Sequence, residues 1–272
     1  MFDFTEEELQ RYSRHILLQE VGVEGQEKIR RGRVLVIGAG GLGTPVALYL
    51  AAAGVGIIGI ADGDTVELSN LQRQVIHFTP DVGRSKVDSA GEKLRKINPH
   101  VHVNTYHKNL TANNILDIVR EYDFIVDGTD NFPTKYLIND ACVLASKPVT
   151  QGGILRFEGQ IFTHLLGTAC YRCLFGEPPL AGSVPSCSQA GILGAIAGIL
   201  GSIQAAETLK YLTGTGELLT DRLLTFDART MEFHRIDSSR QSDCPLCGIH
   251  PVIRDLAGYE QAACLLKPRQ SS

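Results

Sequence analysis

The stretch from Arg33 to Asp62, RVLVIGAGGLGTPVALYLAAAGVGIIGIAD, carries G-x-G-x-x-G at Gly38, Gly40 and Gly43 and ends on an acid. Glycines in that pattern let backbone N–H groups approach a phosphate at a helix N-terminus, and Asp62 can accept from ribose hydroxyls. That much serves NAD and any other adenosine ligand alike. The ligand has to be decided by SNLQRQ, residues 69–74, and by Lys86. A hydride carrier brings a pyrophosphate, which backbone dipoles largely satisfy. A triphosphate brings more charge and needs cations. Arg73 and Lys86 follow the second expected strand, where they could close over phosphates or equally lie as solvated helix charges. Asn70 and Gln72 add neutral donors. Asp130, at the end of another expected strand, suits a Mg2+ bridging phosphate oxygens.

The other chemical signal is sulfur. Of seven cysteines, four form two C-x-x-C knuckles, Cys170-Tyr-Arg-Cys173 and Cys244-Pro-Leu-Cys247, separated by residues 174–243. Four thiolates suit tetrahedral Zn2+; one pair alone could be redox-active, but two favour a metal. The wide separation predicts a clamp joining two segments rather than a small finger. With no open position and no non-cysteine ligand in sight, the metal is expected to be structural. Cys187 stands unpaired in GEPPLAGSVPSCSQ, residues 176–189, a proline-rich loop with no visible base. Thiolate chemistry there would need a depressed pKa. Cys142 is expected in the core, inside a helix, and Cys264 near the tail. The eight histidines show no metal-ligand spacing and take no assigned role.

Positioning these groups takes a frame of alternating strands and helices. Helices are expected over 6–19 and 24–31, then a strand over 33–37, a helix over 42–53 and a strand over 55–61. Pro45 is harmless in the first turn of that helix. A helix over 82–97, a strand over 101–106, a helix over 113–121, a strand over 124–126 and a helix over 132–145 follow. PVTQGGI and GQIFTHLL then read as successive strands, the second antiparallel. The fold class is α/β: a doubly wound, Rossmann-like, mostly parallel sheet with antiparallel strands toward the C-terminus. In such sheets ligands bind beyond the C-terminal strand ends, where GAGGLG (38–43), DGD (62–64) and DGTDN (127–131) fall. Residues 1–268 are expected to be one unit, with N-terminal helices to residue 31, a nucleotide-binding core over 33–165 and a zinc-bearing part over 166–268; 269–272 form a tail.

A net charge of −4 and the lack of a long basic run exclude a nucleic-acid footprint. The N-terminus, MFDFTEEELQRYSR, has no apolar signal core, so a cytoplasmic protein with reduced thiols is expected. The apolar stretch from Val34 to Ala61 is broken by glycines and a proline and reads as a buried βαβ unit, not a membrane span. Residues 191–201 are apolar too, but Gln204, Glu207 and Lys210 continue the helical pattern of a core helix.

GAGGLG, DGDTVELSNLQRQ, GRSK and DGTDN, in this order, resemble the adenylyltransferases that activate ubiquitin-like sulfur carriers, the MoeB/ThiF family. The SNLQRQ segment is the specific part of that resemblance; the glycine motif alone is not. It implies that ATP and the C-terminal glycine carboxylate of a small ubiquitin-like sulfur-carrier protein give a carrier acyl-adenylate and pyrophosphate, the activating step for thiocarboxylate formation. The nucleophile is already a carboxylate, so catalysis is positioning plus electrostatics. On matching positions the resemblance implies that the loop glycines, Gly41 among them, approach the phosphates and Asp62 binds the ribose. Asn70, Arg73 and Lys86 contact the triphosphate, with Ser69 and Asn131 in the nucleotide-binding set, and Asp130 serves Mg2+ and the carrier's terminus. Arg14, in RYSRH, resembles the arginine that one protomer of a homodimer supplies to its partner. Cys170, Cys173, Cys244 and Cys247 match a structural Zn2+ site. Cys187 lies where some members carry a cysteine proposed to accept sulfur or to bond the carrier.

A flexible Gly-Gly carrier tail is expected to thread toward Asp130. CPLCGIHPVIRDLAGYEQAAC resembles the segment that leads, in longer relatives, to a rhodanese sulfurtransferase domain, so a separate sulfur donor is expected. Carriers for molybdopterin and for thiamine have similar tails and are not told apart. Two other readings compete. An NAD(P)-linked Rossmann oxidoreductase needs a proton donor, and no His or Lys stands out. A zinc-clamped binding module without activity would not need Arg73, Lys86 and Asp130.

Overall fold

After Arg33 the run VLVI has no polar side chain, and it becomes the buried part of β1 (Arg33–Ile37), which has parallel neighbours on both sides. The structure, a computed structural model, describes residues 3–179 and 190–259. Three helices precede β1: α1 (Glu6–Arg11), α2 (Ser13–Ile16) and α3 (Gly22–Arg31). The remaining strands are β2 (Ile57–Ala61), β3 (His102–Tyr106), β4 (Phe124–Asp127), β5 (Val149–Leu155), β6 (Glu158–His164), β7 (Arg222–Asp227) and β8 (Glu232–Asp237). They form one sheet in the order β3-β2-β1-β4-β5-β6-β7-β8. The first five strands in that order are parallel, and β6 to β8 continue the sheet antiparallel. Strand order reverses at β1, so the crevice between the β1 and β4 ends is the natural ligand position.

Alternation along β1 divides the core in two. Val34 and Val36 join Val46, Leu50, Ile58 and Leu94 on one face, whereas Leu35 and Ile37 join Ile125, Ile138 and Val149 on the other. A strand buried on both faces reads as a continuous apolar run, as this one does. The first face is covered by α4 (Gly43–Ala53), α5 (Lys86–Ile97) and the C-terminal half of a long helix, Gly194–Thr213. The second is covered by α6 (Ile115–Arg120) and α7 (Phe132–Leu144). A short helix, α8 (Tyr171–Phe175), follows β6, and the long helix is α9.

Three expectations shift. The helix expected over 6–19 breaks at Tyr12 (φ −98, ψ 9), whose buried hydroxyl accepts from Asn98 Nδ2 at 2.8 Å. The helix expected from 82 begins at Lys86. Gly83 sits at φ +88, and Ser85 Oγ caps the helix by accepting from the Asp88 N–H at 3.4 Å. The core helix expected from 191 on through Gln204, Glu207 and Lys210 starts at Gly194 and runs to Thr213, where Gly214 stops it at φ +75.

Candidate active site and metal centre

The loops after β1, β2 and β4 close on a single cleft lined by Gly38, Gly40, Gly41, Asp62, Asp130 and Asn131. Two glycines make the first loop possible. Gly38 holds φ +97, and a Cβ on Gly43 would stand 1.7 Å from the Gly38 carbonyl oxygen. Gly43 therefore lets α4 start hard against the strand end, and it is not part of the cleft lining. Asp62 ties two loops together. Its carboxylate accepts from the Ala39 N–H and the Asp64 N–H, both at 2.8 Å, and the remaining lone pairs can take a ribose hydroxyl.

Arg73 and Lys86 both reach this cleft. Arg73 Nη1 donates to the Ser69 carbonyl at 3.1 Å, and its stem lies against Gly41, within 3.5 Å of where a Cβ there would stand. Lys86, in the first turn of α5, is only 7% exposed, and its Nζ donates to Asp64 at 2.9 Å. A cation already desolvated beside an open cleft is ready to take a phosphate in place of an exposed carboxylate. Asn70 and Ser69 stand behind the lining. Asn70 Oδ1 accepts from the Glu67 N–H at 3.1 Å, and its carbonyl accepts from the N–H groups of Arg73 and Gln74. Ser69 is exposed and its hydroxyl donates to Glu67. These two residues build the turn that presents Arg73. Arg14 is exposed on α2 and lines no part of its own chain's cleft.

Asp64 and Gln74, from the DGD and SNLQRQ segments, also line the cleft, as do Lys108 and Asn109, to which sequence reasoning gave no role there. Lys108 and Asn109 follow β3, at the same end of the sheet as the three glycine-bearing loops. The strand-end rule alone could have marked them.

A second cavity, about 380 Å3 against about 210 Å3 for the first, lies over β5 to β8. Phe132, Ile154, Leu155, Tyr171 and Phe226 give it apolar walls, and Lys135 and His234 add polar edges. Asp130, Asn131 and Ile154 line both cavities. Behind this shared wall, buried Asp127 accepts from Lys135 Nζ at 3.1 Å, from Gln151 Nε2 at 2.8 Å and from the Thr129 N–H at 2.9 Å.

The knuckle cysteines meet. Their four sulfurs all lie within 4.8 Å of one another, with Cys170–Cys173 at 3.8 Å, Cys170–Cys244 at 3.7 Å and Cys173–Cys247 at 3.3 Å. Four thiolates about 2.3 Å from a tetrahedral Zn2+ would be separated by about 3.8 Å, so the cluster fits that ion. The residues between the first two cysteines face the protein. Tyr171 walls the second cavity, and Arg172 makes a buried bidentate pair with Asp140 of α7, at 2.9 and 2.8 Å. Burial pushes the Tyr171 hydroxyl pKa up, so it stays a neutral wall. Cys142 is wholly buried and burial likewise pushes its thiol up, as a core cysteine requires. Cys187 and Cys264 lie outside the described residues, as does the tail 269–272. Among the described residues, no helix is long and apolar enough to cross a membrane.

A family profile decides the kinship: that of the ThiF family matches residues 12–246. The chain belongs to the ThiF family. It is 49% identical over 263 residues to a protein of Thermus thermophilus named sulfur carrier protein adenylyltransferase, covering 94% of this chain and 97% of that one. It is also 49% identical over 257 residues to the adenylyltransferase and sulfurtransferase MOCS3 of Culex quinquefasciatus, covering 93% of this chain but only 58% of that longer protein. Among solved structures, E. coli MccB bound to MccA-N7isoASN superposes with a TM-score of 0.79 at 25% identity, over 90% of this chain and 76% of that one.

Proposed function

We propose that this chain is an ATP-dependent adenylyltransferase that activates the C-terminal glycine of a small ubiquitin-like sulfur-carrier protein. The observation that carries the reading is the shared wall: Asp130, Asn131 and Ile154 belong both to the cleft holding Arg73 and Lys86 and to the apolar cavity beside it. A nucleotide in the first and an extended Gly-Gly tail in the second would meet there. The tail carboxylate attacks the α-phosphorus, a C(O)–O–P bond forms, and the bond to pyrophosphate breaks. Arg73, Lys86 and Lys108 supply positive charge where the leaving pyrophosphate gathers negative charge, and the loop N–H groups fix the phosphates in line. Asp130, exposed at the junction, would hold a Mg2+, which when bound draws charge off the phosphate oxygens. The name of the Thermus relative supports a sulfur carrier as the substrate, and MccB, solved with MccA-N7isoASN, is a fold relative that takes a partner.

The cysteine cluster would hold a structural Zn2+. A homodimer in which Arg14 reaches the partner's cleft accounts for that exposed arginine near the N-terminus. Sulfur would come from a separate donor. An NAD oxidoreductase would bring only a pyrophosphate to a cleft lined by three cations, Arg73, Lys86 and Lys108.

The test is pyrophosphate exchange into ATP with candidate carriers of molybdopterin and thiamine type, together with the carrier's mass. Carrier- and Mg2+-dependent exchange, and a carrier heavier by one AMP, are expected. Saturable NADH binding without competition by ATP would overturn the reading.

A further inference from the structure

His77 is 3% exposed and lies under the glycine loop, outside the cleft lining. Its ring is held at both nitrogens: Nε2 is 3.0 Å from the Ala39 carbonyl oxygen and Nδ1 is 2.9 Å from Ser89 Oγ. A carbonyl can only accept, so Nε2 carries the proton. In a neutral ring Nδ1 then accepts, and Ser89 must donate to it. Lys93 Nζ donates to Ser89 Oγ at 2.9 Å and also pairs with buried Asp81. Each proton in the relay Lys93–Ser89–His77–Ala39 therefore has one direction. Burial, with Lys93 and Lys86 nearby, holds the His77 pKa below its ordinary value and keeps the ring neutral, although the Ala39 carbonyl and Asp81 act the other way.

The bond to Ala39 has a geometric consequence. In a planar trans peptide the C=O and the following N–H point in opposite directions. Holding the Ala39 carbonyl toward His77 turns the Gly40 N–H the other way, and Gly40 lines the nucleotide cleft. The preceding peptide is held as well, since the Ala39 N–H donates to Asp62. A loop containing four glycines in six residues, GAGGLG, has little conformational preference of its own.

We propose that His77 is a positioning residue for nucleotide binding: it locks the Ala39–Gly40 peptide so that the Gly40 N–H faces the phosphates. The proposal rests on the cleft being the ATP site. Its role is indirect, because His77 touches the loop and not the ligand. Ser89 and Lys93, on α5, hold its other nitrogen, which couples the helix that carries Lys86 to the loop that carries the glycines.

The experiment compares wild type with His77→Phe, which keeps a ring but has no donor, and His77→Gln, whose amide can replace Nε2–H. ATP affinity is measured by calorimetry, and KM for ATP and for the carrier by exchange. His77→Phe is expected to weaken ATP binding and raise KM for ATP about tenfold, with the carrier KM unchanged. His77→Gln is expected to recover most of the loss. Equal weakening in both variants, or lowered thermal stability with unchanged ATP affinity, overturns the proposal. Wild-type imidazole 15N spectra give a second test that needs no variant. A neutral Nε2–H tautomer is expected, and an Nδ1–H or doubly protonated ring refutes it. If wild type itself fails to bind ATP, the cleft reading fails first, and calorimetry on wild type alone separates the two failures.

Discussion

The two halves of the sheet position their chemistry by different means. On the parallel side, many groups in the cleft sit one loop beyond a strand: Gly38, Gly40 and Gly41 after β1, Asp62 and Asp64 after β2, Lys108 after β3 and Asp130 after β4. Position there follows from local βα turns. On the antiparallel side, the second cavity is assembled from segments far apart in the chain. Tyr171, Phe226 and His234 meet over β5 to β8, secured by the Arg172–Asp140 pair and by cysteines 74 residues apart. The first half uses propensity and glycine geometry; the second uses contacts between segments distant in the chain. Damage to the parallel half should therefore appear as lost chemistry, and damage to the other as lost stability.

The largest expected effect is on the antiparallel side. If the cysteine cluster acts as a staple, removing its metal with a chelator, or substituting Cys173→Ser, should cost about 4–5 kcal/mol, the entropy of closing a loop of this length. Calorimetric scanning should then show Tm falling by roughly 8–20 °C. Unchanged stability would abolish the contrast between the halves. Asp140→Asn comes next. It removes the buried charge partner of Arg172, leaving it Glu177 at 3.6 Å and the Tyr259 hydroxyl at 3.3 Å, and should cost up to about 3–5 kcal/mol in urea unfolding, with ATP affinity preserved in the folded protein.

The opposite signature is expected from Lys86→Met. Exchange should fall about 10²–10³-fold while the unfolding midpoint stays near wild type, because the pair it loses is with a largely exposed Asp64. A Lys86→Met protein that is unstable but active would reverse the assignment of this lysine. The smallest effect concerns Asp81, beneath the cleft. Burial alone would raise its pKa, but hydrogen bonds from Lys93 and the Phe78 N–H outweigh that and bring it to about 2. Its folded pKa lies below its unfolded value, so its contribution is complete above about pH 4 and is lost as the pH falls toward 2. Asp81→Asn should flatten the stability–pH curve in that window alone.

The same contrast explains what the sequence made legible. The β1 run, the glycine loop, Asp62 and Asp130 were readable because parallel α/β units put periodicity and punctuation next to each other in the chain, whereas Arg73 and Lys86 read equally as solvated helix charges until the SNLQRQ resemblance singled them out. The four cysteines were readable because their spacing is chemical. Lys108 and Asn109 were missed because a lone charge in an ordinary loop carries no signal until strand order is known. The β7–β8 hairpin was not placed because β8, EFHRID, is exposed throughout and has no apolar alternation to show. Asn70 is expected to touch phosphate, and its Oδ1 also accepts from the Glu67 N–H in the turn before Arg73, a second role that residue type does not reveal. The second cavity was not foreseen, beyond the expectation of a tail near Asp130; its walls come from four distant segments.

The separation of the two knuckles also bears on how the chain is made. A ribosome adding about 5–20 residues per second needs roughly 4–15 s to go from Cys170 to Cys244. During that interval the first cysteine pair waits without the second, with strands β1 to β6 already synthesised. If the four thiolates hold a metal, that site can form only once Cys247 has followed, so the time for which the first pair stands alone is set by the rate of synthesis.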